Sequence, residues 1–224
     1  ARTDAYENVM TDAGGNGANG DMRTDAQQMI QKQVQKEARD GLALEIAARG
    51  RHAAITPSSF AERWARFWSN HFTVAARNAQ TIGLVGPFER EAIRPNVFGS
   101  FGTLLGASTF HPAMLVYLDA NRSIGPSTQA AQRRDGGLNE NLAREILELH
   151  TLGVDGGYTQ KDVTEVARAF TGWSIARLRD GEPRFVFNGR VHDRGDKVIL
   201  GRRIEGGGRA AHGAPWILRH LNRL

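Results

Sequence analysis

The sequence predicts a mainly α protein, an orthogonal multi-helix domain with one small antiparallel β-hairpin or meander near residues 184–204. Three observations carry that prediction. Apolar residues recur at helical spacing, as in Val163, Val166, Ala167, Phe170 and Trp173. Helix-start signals accompany them: Thr56-Pro57, His111-Pro112, and Thr159 with Asp162 three residues on. Strand signals come late, where Phe185-Val186-Phe187 and Arg190-Val191-His192 flank the turn pair Asn188-Gly189.

Residues 1–21 hold the run Gly14-Gly15-Asn16-Gly17-Ala18-Asn19-Gly20 and read as a flexible arm. Residues 22–224 then read as a single helical domain. From Thr24 to about Arg49, Gln, Lys, Glu and Ala favour helix, with a break or kink expected at Gly41 and a cap at Gly50. Thr56, Pro57, Ser59 and Glu62 form the next helix start, Ser59 and Glu62 at capping-box spacing. That helix carries Phe60, Trp64, Phe67 and His71 on one face with Trp68 adjoining, and His71 is expected in the core, donating to a carbonyl or carboxylate, or else acting as a metal ligand or acid–base group.

A short helix over Phe88–Ile93 should end at Pro95, and residues 110–119 read as a buried helix with proline in its first turn. Residues 121–137 form a long polar connection, of the kind that is often functional. The central helix follows, from Asn139, its expected N-cap, to Gly153, its expected left-handed cap. At 100° per residue, Leu138, Leu142, Leu149 and Leu152 form its stripe, and Glu145 falls inside that stripe. Asn141 and Glu148 lie at the edge. A carboxylate so placed must be paired, hydrogen-bonded or neutral. Two readings stand side by side: a core glutamate holding helices in register, or a functional carboxylate with Glu148, Asn141, Glu140 or His150 beside it. Val154–Tyr158 is then a tight turn, Thr159 starts a helix, and Lys197–Leu200 adds a third strand. Glycines 206–208 make a flexible link, and a last helix begins at Pro215.

Composition narrows the function. Without cysteine, disulfides, thiolate catalysis, zinc ribbons and iron–sulfur clusters are excluded. No run approaches the ~20 apolar residues of a membrane-spanning helix. Net charge is +5 and Arg far outnumbers Lys, but the cations come in pairs such as Arg133-Arg134 and Arg202-Arg203. Phosphate affinity needs a basic face, so nucleic acid is not expected and a polyanion binder is the distant alternative. There is no phosphate loop, dinucleotide fingerprint, HExxH pair or nucleophile elbow. Glu145 and Glu148 stand at i, i+3, and on an α-helix His150 is poorly phased with them. A metal site would need His71 and Asn70 from the aromatic helix together with Glu145 or Glu148.

Several motifs together resemble a bacterial family defined as domain of unknown function 1800. They include Phe67-Trp68-Ser69-Asn70-His71-Phe72, Ile93-Arg94-Pro95, Tyr117-Leu118-Asp119, Asn139-Glu140-Asn141-Leu142-Ala143-Arg144-Glu145, Glu148-Leu149-His150-Thr151-Leu152-Gly153 and Ala167-Arg168-Ala169-Phe170-Thr171-Gly172-Trp173. The resemblance covers about residues 57–224. It implies export to the periplasm or medium and a pattern that continues beyond this chain's C-terminus. It also implies a sulfatase-like partner, of domain of unknown function 1501, and it names no activity. The expectation is therefore a secreted partner-binding or scaffold subunit. The alternative is a hydrolase-type enzyme using Glu145, Glu148 and His71, with or without a divalent metal, and with Asn70, Asn139, Glu140, Asn141, Arg144 and His150 as binding residues.

Overall fold

The computed structural model describes residues 25–77, 79–133, 137–176 and 183–205. The expected arm over 1–21, the glycine link over 206–208 and the helix expected from Pro215 lie outside them. The protein is mainly helical with two small antiparallel two-stranded sheets.

Helix α1 (Asp25–Ile55) runs unbroken through Gly41 and past Gly50, against the expected kink and cap. A lone glycine in a run of strong helix formers costs about 1 kcal/mol, too little to stop the helix. Helix α2 (Ser59–His71) follows without the expected capping box: Ser58 is the N-cap, and no side chain caps it. Glu62 points inward and takes two hydrogen bonds from Arg94, at 2.8 and 3.2 Å, and one from Arg66 at 3.1 Å. Arg94 also reaches Glu89, which pairs with Arg49 of α1 at 2.7 Å. This network ties α1 and α2 to the next segment, where α3 (Ala79–Ile82) and α4 (Val85–Phe88) lead into a π-wound turn over Glu89–Ile93 and a 3-10 turn over Arg94–Asn96. The expected short helix before Pro95 is therefore wound in three ways.

Helix α5 (Phe101–Phe110) is capped by Ser100, whose hydroxyl accepts from the Thr103 amide. Helix α6 (Pro112–Tyr117) is capped by the His111 ring, which accepts from the Ala113 amide at 3.1 Å. Its Ala113, Met114 and Leu115 are fully buried, in one core cluster with Leu105, Ile93 and Phe72. The polar connection carries a short helix α7 (Gln129–Arg133). The central helix starts as α8 (Asn141–Arg144), and α9 (Gln160–Phe170) packs on it after a tight turn. Thr159 and Asp162 complete the capping box at the start of α9.

The strand pairing differs from the expected hairpin. Strand β2 (Phe185–Phe187) pairs antiparallel with β1 (Trp173–Ile175), Trp173 opposite Phe187. Asn188-Gly189 still makes a turn, its side chain accepting from the Arg190 amide at 3.1 Å, but residues 190–192 do not return as a strand. Instead Val191 gives its carbonyl to the Gly125 amide at 2.8 Å. Aromatic packing explains the choice: Trp173 lies 5.9 Å from Phe185 and 4.9 Å from Phe110, ring centre to ring centre, so β1 brings the larger apolar partner. Strand β3 (Lys197–Ile199) pairs with β4 (Arg202–Ile204) across Leu200-Gly201, both at positive φ as a tight hairpin turn requires.

Candidate functional site

After Arg144 the central helix changes pitch. Residues Glu145–Thr151 are π-wound, so i and i+5 face each other where an α-helix would align i and i+4. The Gly153 cap is as expected, at φ +89°. The rewinding overturns the expected phase. Leu149, assigned to the buried stripe, is 56% exposed, while Ile146, Leu147 and His150 are buried. Glu145 and His150, five residues apart, come together: Oε1 lies 3.9 Å from Nε2.

The His150 side chain is 1% exposed and that of Glu145 21%. Neither ring nitrogen of His150 has a hydrogen-bond partner among the described residues. Burial, with His71 alongside, pulls the His150 imidazole down to about 3, so the ring is neutral at pH 7. Burial pushes the Glu145 carboxyl up; Arg77 opposes this and Glu148 adds to it. His71, half-buried, donates from Nε2 to the backbone carbonyl of His150 at 3.2 Å, and its ring stands 5.8 Å from that of His150. An oxygen at an ordinary hydrogen-bond distance of about 2.8 Å from each group spans the gap between Glu145 and His150. This is a place where a hydroxyl or water could be held between a carboxyl and a neutral imidazole.

The other residues of the central motif hold the fold's joints. Arg144 bridges Glu148 at 3.1 Å and Glu140 at 3.0 Å, and Gln160 of α9 donates to both Glu140 oxygens. Asn139 accepts from the Asn141 amide at 2.8 Å, the capping expected of it from one position further out. The Asn139 and Asn141 side-chain amides donate to the carbonyls of Asp119 and Leu118, steadying Asp119 at its left-handed φ of 54°. Asn70 is exposed, its carbonyl accepting from Thr73. Among the described residues no three of His, Asp and Glu converge as a set that could hold a metal ion.

A second polar cluster escaped the sequence reading. Asp193 is buried and accepts from Arg168 and Ser127, each at 2.9 Å, and from the Gly195 amide at 3.0 Å. Burial alone would raise its carboxyl, but these bonds and the Arg168 charge hold it at about 2. The Lys197 ammonium, also buried, donates to the carbonyls of Asp193 and Gly195. The cluster clasps the connection after α6 to the segment before β3. Ser127 and Arg168 are far from Asp193 in sequence, and no spacing announces their meeting.

Only part of the aromatic face of α2 is core. Phe60 is 62% exposed, Phe67 52%, and Phe98 from the loop beyond Asn96 is 68%. The rings gather around Trp64: Phe67 at 5.1 Å and 4° between planes, Phe60 at 6.3 Å and 12°, with Phe98 6.3 Å from Phe60. The Trp64 indole N–H is fixed to the Val97 carbonyl at 2.7 Å. On the inner side, Trp68, Phe72 and Phe101 carry the packing onto His71 and His150.

A family model described as "Protein of unknown function (DUF1800)" matches residues 2–221, which reaches further toward the N-terminus than the motifs that first suggested the resemblance. No curated protein and no solved structure matches the chain.

Proposed function

The chain belongs to the DUF1800 family, and on that premise we propose that it is a secreted or periplasmic helical protein serving as a partner-binding or scaffold subunit. One observation carries the reading, the exposed rings of Phe60, Phe67 and Phe98 gathered around half-buried Trp64. Isolated exposed apolar residues are ordinary, but a contiguous, mutually stacked group of large rings marks an interaction surface. Rigid aromatic side chains, already packed on one another, lose little entropy on docking and dominate binding energies at interfaces. The polar residues of the central motif support the same reading, since Glu140, Arg144, Glu148, Asn139 and Asn141 are engaged in holding helices and loops together.

The first partner to test is the sulfatase-like protein of domain of unknown function 1501. In a titration followed by calorimetry, wild type should bind it, and a Phe60→Ser/Phe67→Ser double variant should bind at least about tenfold more weakly, as expected for loss of two aromatic anchors. Both residues are exposed, so the double variant should keep the wild-type melting temperature. Undiminished binding by the double variant would remove the aromatic face from the interaction.

A second reading is favoured by a separate observation. The neutral, unpartnered His150 and the raised carboxyl of Glu145 face each other across 3.9 Å, with His71 behind them. Buried polar groups without partners are costly, and they cluster where a ligand or a reaction needs them. π-wound turns are frequent at functional sites as well. In this reading the protein is a hydrolase-type enzyme in which Glu145 takes a proton from a water that His150 orients, while Glu148 sits at the edge of the site on Arg144.

A further inference from the structure

The aromatic face is not electrically neutral. Along α2, Phe60, Arg63, Trp64 and Phe67 follow at i, i+3, i+4 and i+7, so Arg63 stands between the two exposed phenylalanines on one stripe. Arg63 is exposed and has no carboxylate partner among the described residues. Glu62 lies on the opposite face of α2, buried under Arg94 and Arg66, and Glu89 lies between Arg94 and Arg49. Arg49, Arg66 and Arg94 are committed to those two glutamates, which leaves Arg63 as the unpaired charge on the stripe. The stripe therefore presents a single unpaired cation beside an apolar centre.

We propose that this stripe docks an acidic amphipathic protein segment, its apolar residues seated on Phe60, Trp64, Phe67 and Phe98 and its Asp or Glu residues facing Arg63. The proposal rests on the partner-binding reading and names the chemistry of the partner. Complementary charge at the rim of an apolar patch steers encounter and rejects like-charged competitors. A bilayer is the competing surface for aromatics beside arginine. Interfacial tryptophans in membranes keep the indole N–H toward headgroups and water. Here the Trp64 N–H is directed into the protein at the Val97 carbonyl, and the free cation on the stripe is a single arginine, whereas stable attachment to anionic lipid draws on several. A protein segment fits these features better.

The test is a selection from a random 16-residue peptide library displayed on phage, with the full chain as bait and the Phe60→Ser/Phe67→Ser double variant as counter-bait. Enriched peptides that combine apolar residues with an excess of Asp and Glu support the proposal. Re-selection on an Arg63→Glu variant should then shift enrichment to Lys and Arg, and the acidic peptides should bind that variant at least about tenfold more weakly. Enrichment of neutral or basic peptides would overturn the acidic partner while leaving the binding face intact. If no peptide distinguished wild type from the double variant, the binding reading itself would fall with the proposal. Sedimentation with phosphatidylcholine–phosphatidylglycerol vesicles that depended on Phe60 and Phe67 would reassign the stripe to a membrane. Thermal melts of both variants guard against misfolding.

Discussion

At Glu145 the burial that raises the carboxyl also fixes the sign of a substitution. A group whose folded-state pKa lies above its unfolded value stabilises the fold while protonated, and that contribution is lost as pH rises through the folded pKa. At pH 7.5 the ionised side chain is therefore a burden on the fold, which glutamine would relieve while keeping shape and hydrogen-bonding capacity. Glu145→Gln should leave stability within about 1 kcal/mol of wild type, on the stabilising side. If the second reading is right, the same change should lower hydrolysis of a responsive ester or amide substrate by about 100-fold or more, the usual loss on removing a general base. A variant that unfolds would return Glu145 to a structural role, and full activity in a folded variant would take it out of catalysis. The sequence singled out this residue as an ill-placed carboxylate. It could not pair it with His150, because the pairing needs the extra residue per turn that π-winding adds, and no residue type in Glu145–Thr151 announces that winding.

Among the elements, legibility followed the range of the forces involved. The start of α9 was readable because a capping box is local: Thr159 and Asp162 satisfy each other within one turn. Ser59 and Glu62 have the same spacing but made no box, since Arg94, distant in sequence, offered Glu62 a stronger, charge-assisted partner. The strand pairing failed for the same reason: the turn at Asn188-Gly189 is local, whereas the partner of β2 was decided by Trp173 and Phe110. Two glycines on either side of α9 turn this contrast into a measurement. Gly153 and Gly172 both sit at strongly positive φ, +89° and +85°. A Cβ on Gly153 would meet nothing within 4 Å, whereas on Gly172 it would lie 2.7 Å from the Asn188 carbonyl oxygen and 3.1 Å from His192 Cβ. Gly153→Ala should cost about 1 kcal/mol from backbone strain alone. Gly172→Ala should cost a further 1–3 kcal/mol or so, because it also forces β1 and the turn after β2 apart. Urea midpoints at unchanged m-value would read the difference, and equal losses would contradict the close approach at Gly172.

For the whole molecule, what the sequence could not convey is how the charged and ring-nitrogen groups were sorted between surface and interior. Arginine and glutamate counts say nothing of Glu62 and Asp193 being buried, and a stripe of aromatics does not reveal that Phe60 and Phe67 would stay outside. That sorting gives the protein a predictable response to acid. Burial lowers the pKa of His150 to about 3 and also lowers those of His111 and His192. The unfolded chain accepts protons near 6.5 that these rings refuse, so their contribution is intact above pH 6.5 and is lost as pH falls through their folded values, which for His150 is about 3. Glu62, held at about 2 by its hydrogen bonds with Arg94, and Asp193 at about 2 act with the same sign over a lower window, beginning near their unfolded values of 4.5 and 3.8. Glu145 acts in the opposite direction and is outnumbered. Unfolding free energy should therefore fall from pH 6.5 downward, by up to about 1.4 kcal/mol per pH unit for each group, and more steeply below pH 4.5. Urea titrations between pH 7.5 and 3.5 measure this directly. His150→Phe, which places an apolar ring against Phe72 and removes both unpartnered nitrogens, should flatten the profile by about one group's slope all the way from pH 6.5 to 3.5 and leave in place the extra steepening below pH 4.5. A wild-type profile flat from pH 6.5 to 4.5 would mean that the imidazoles are hydrated in solution, and the site around Glu145 would then be open to water.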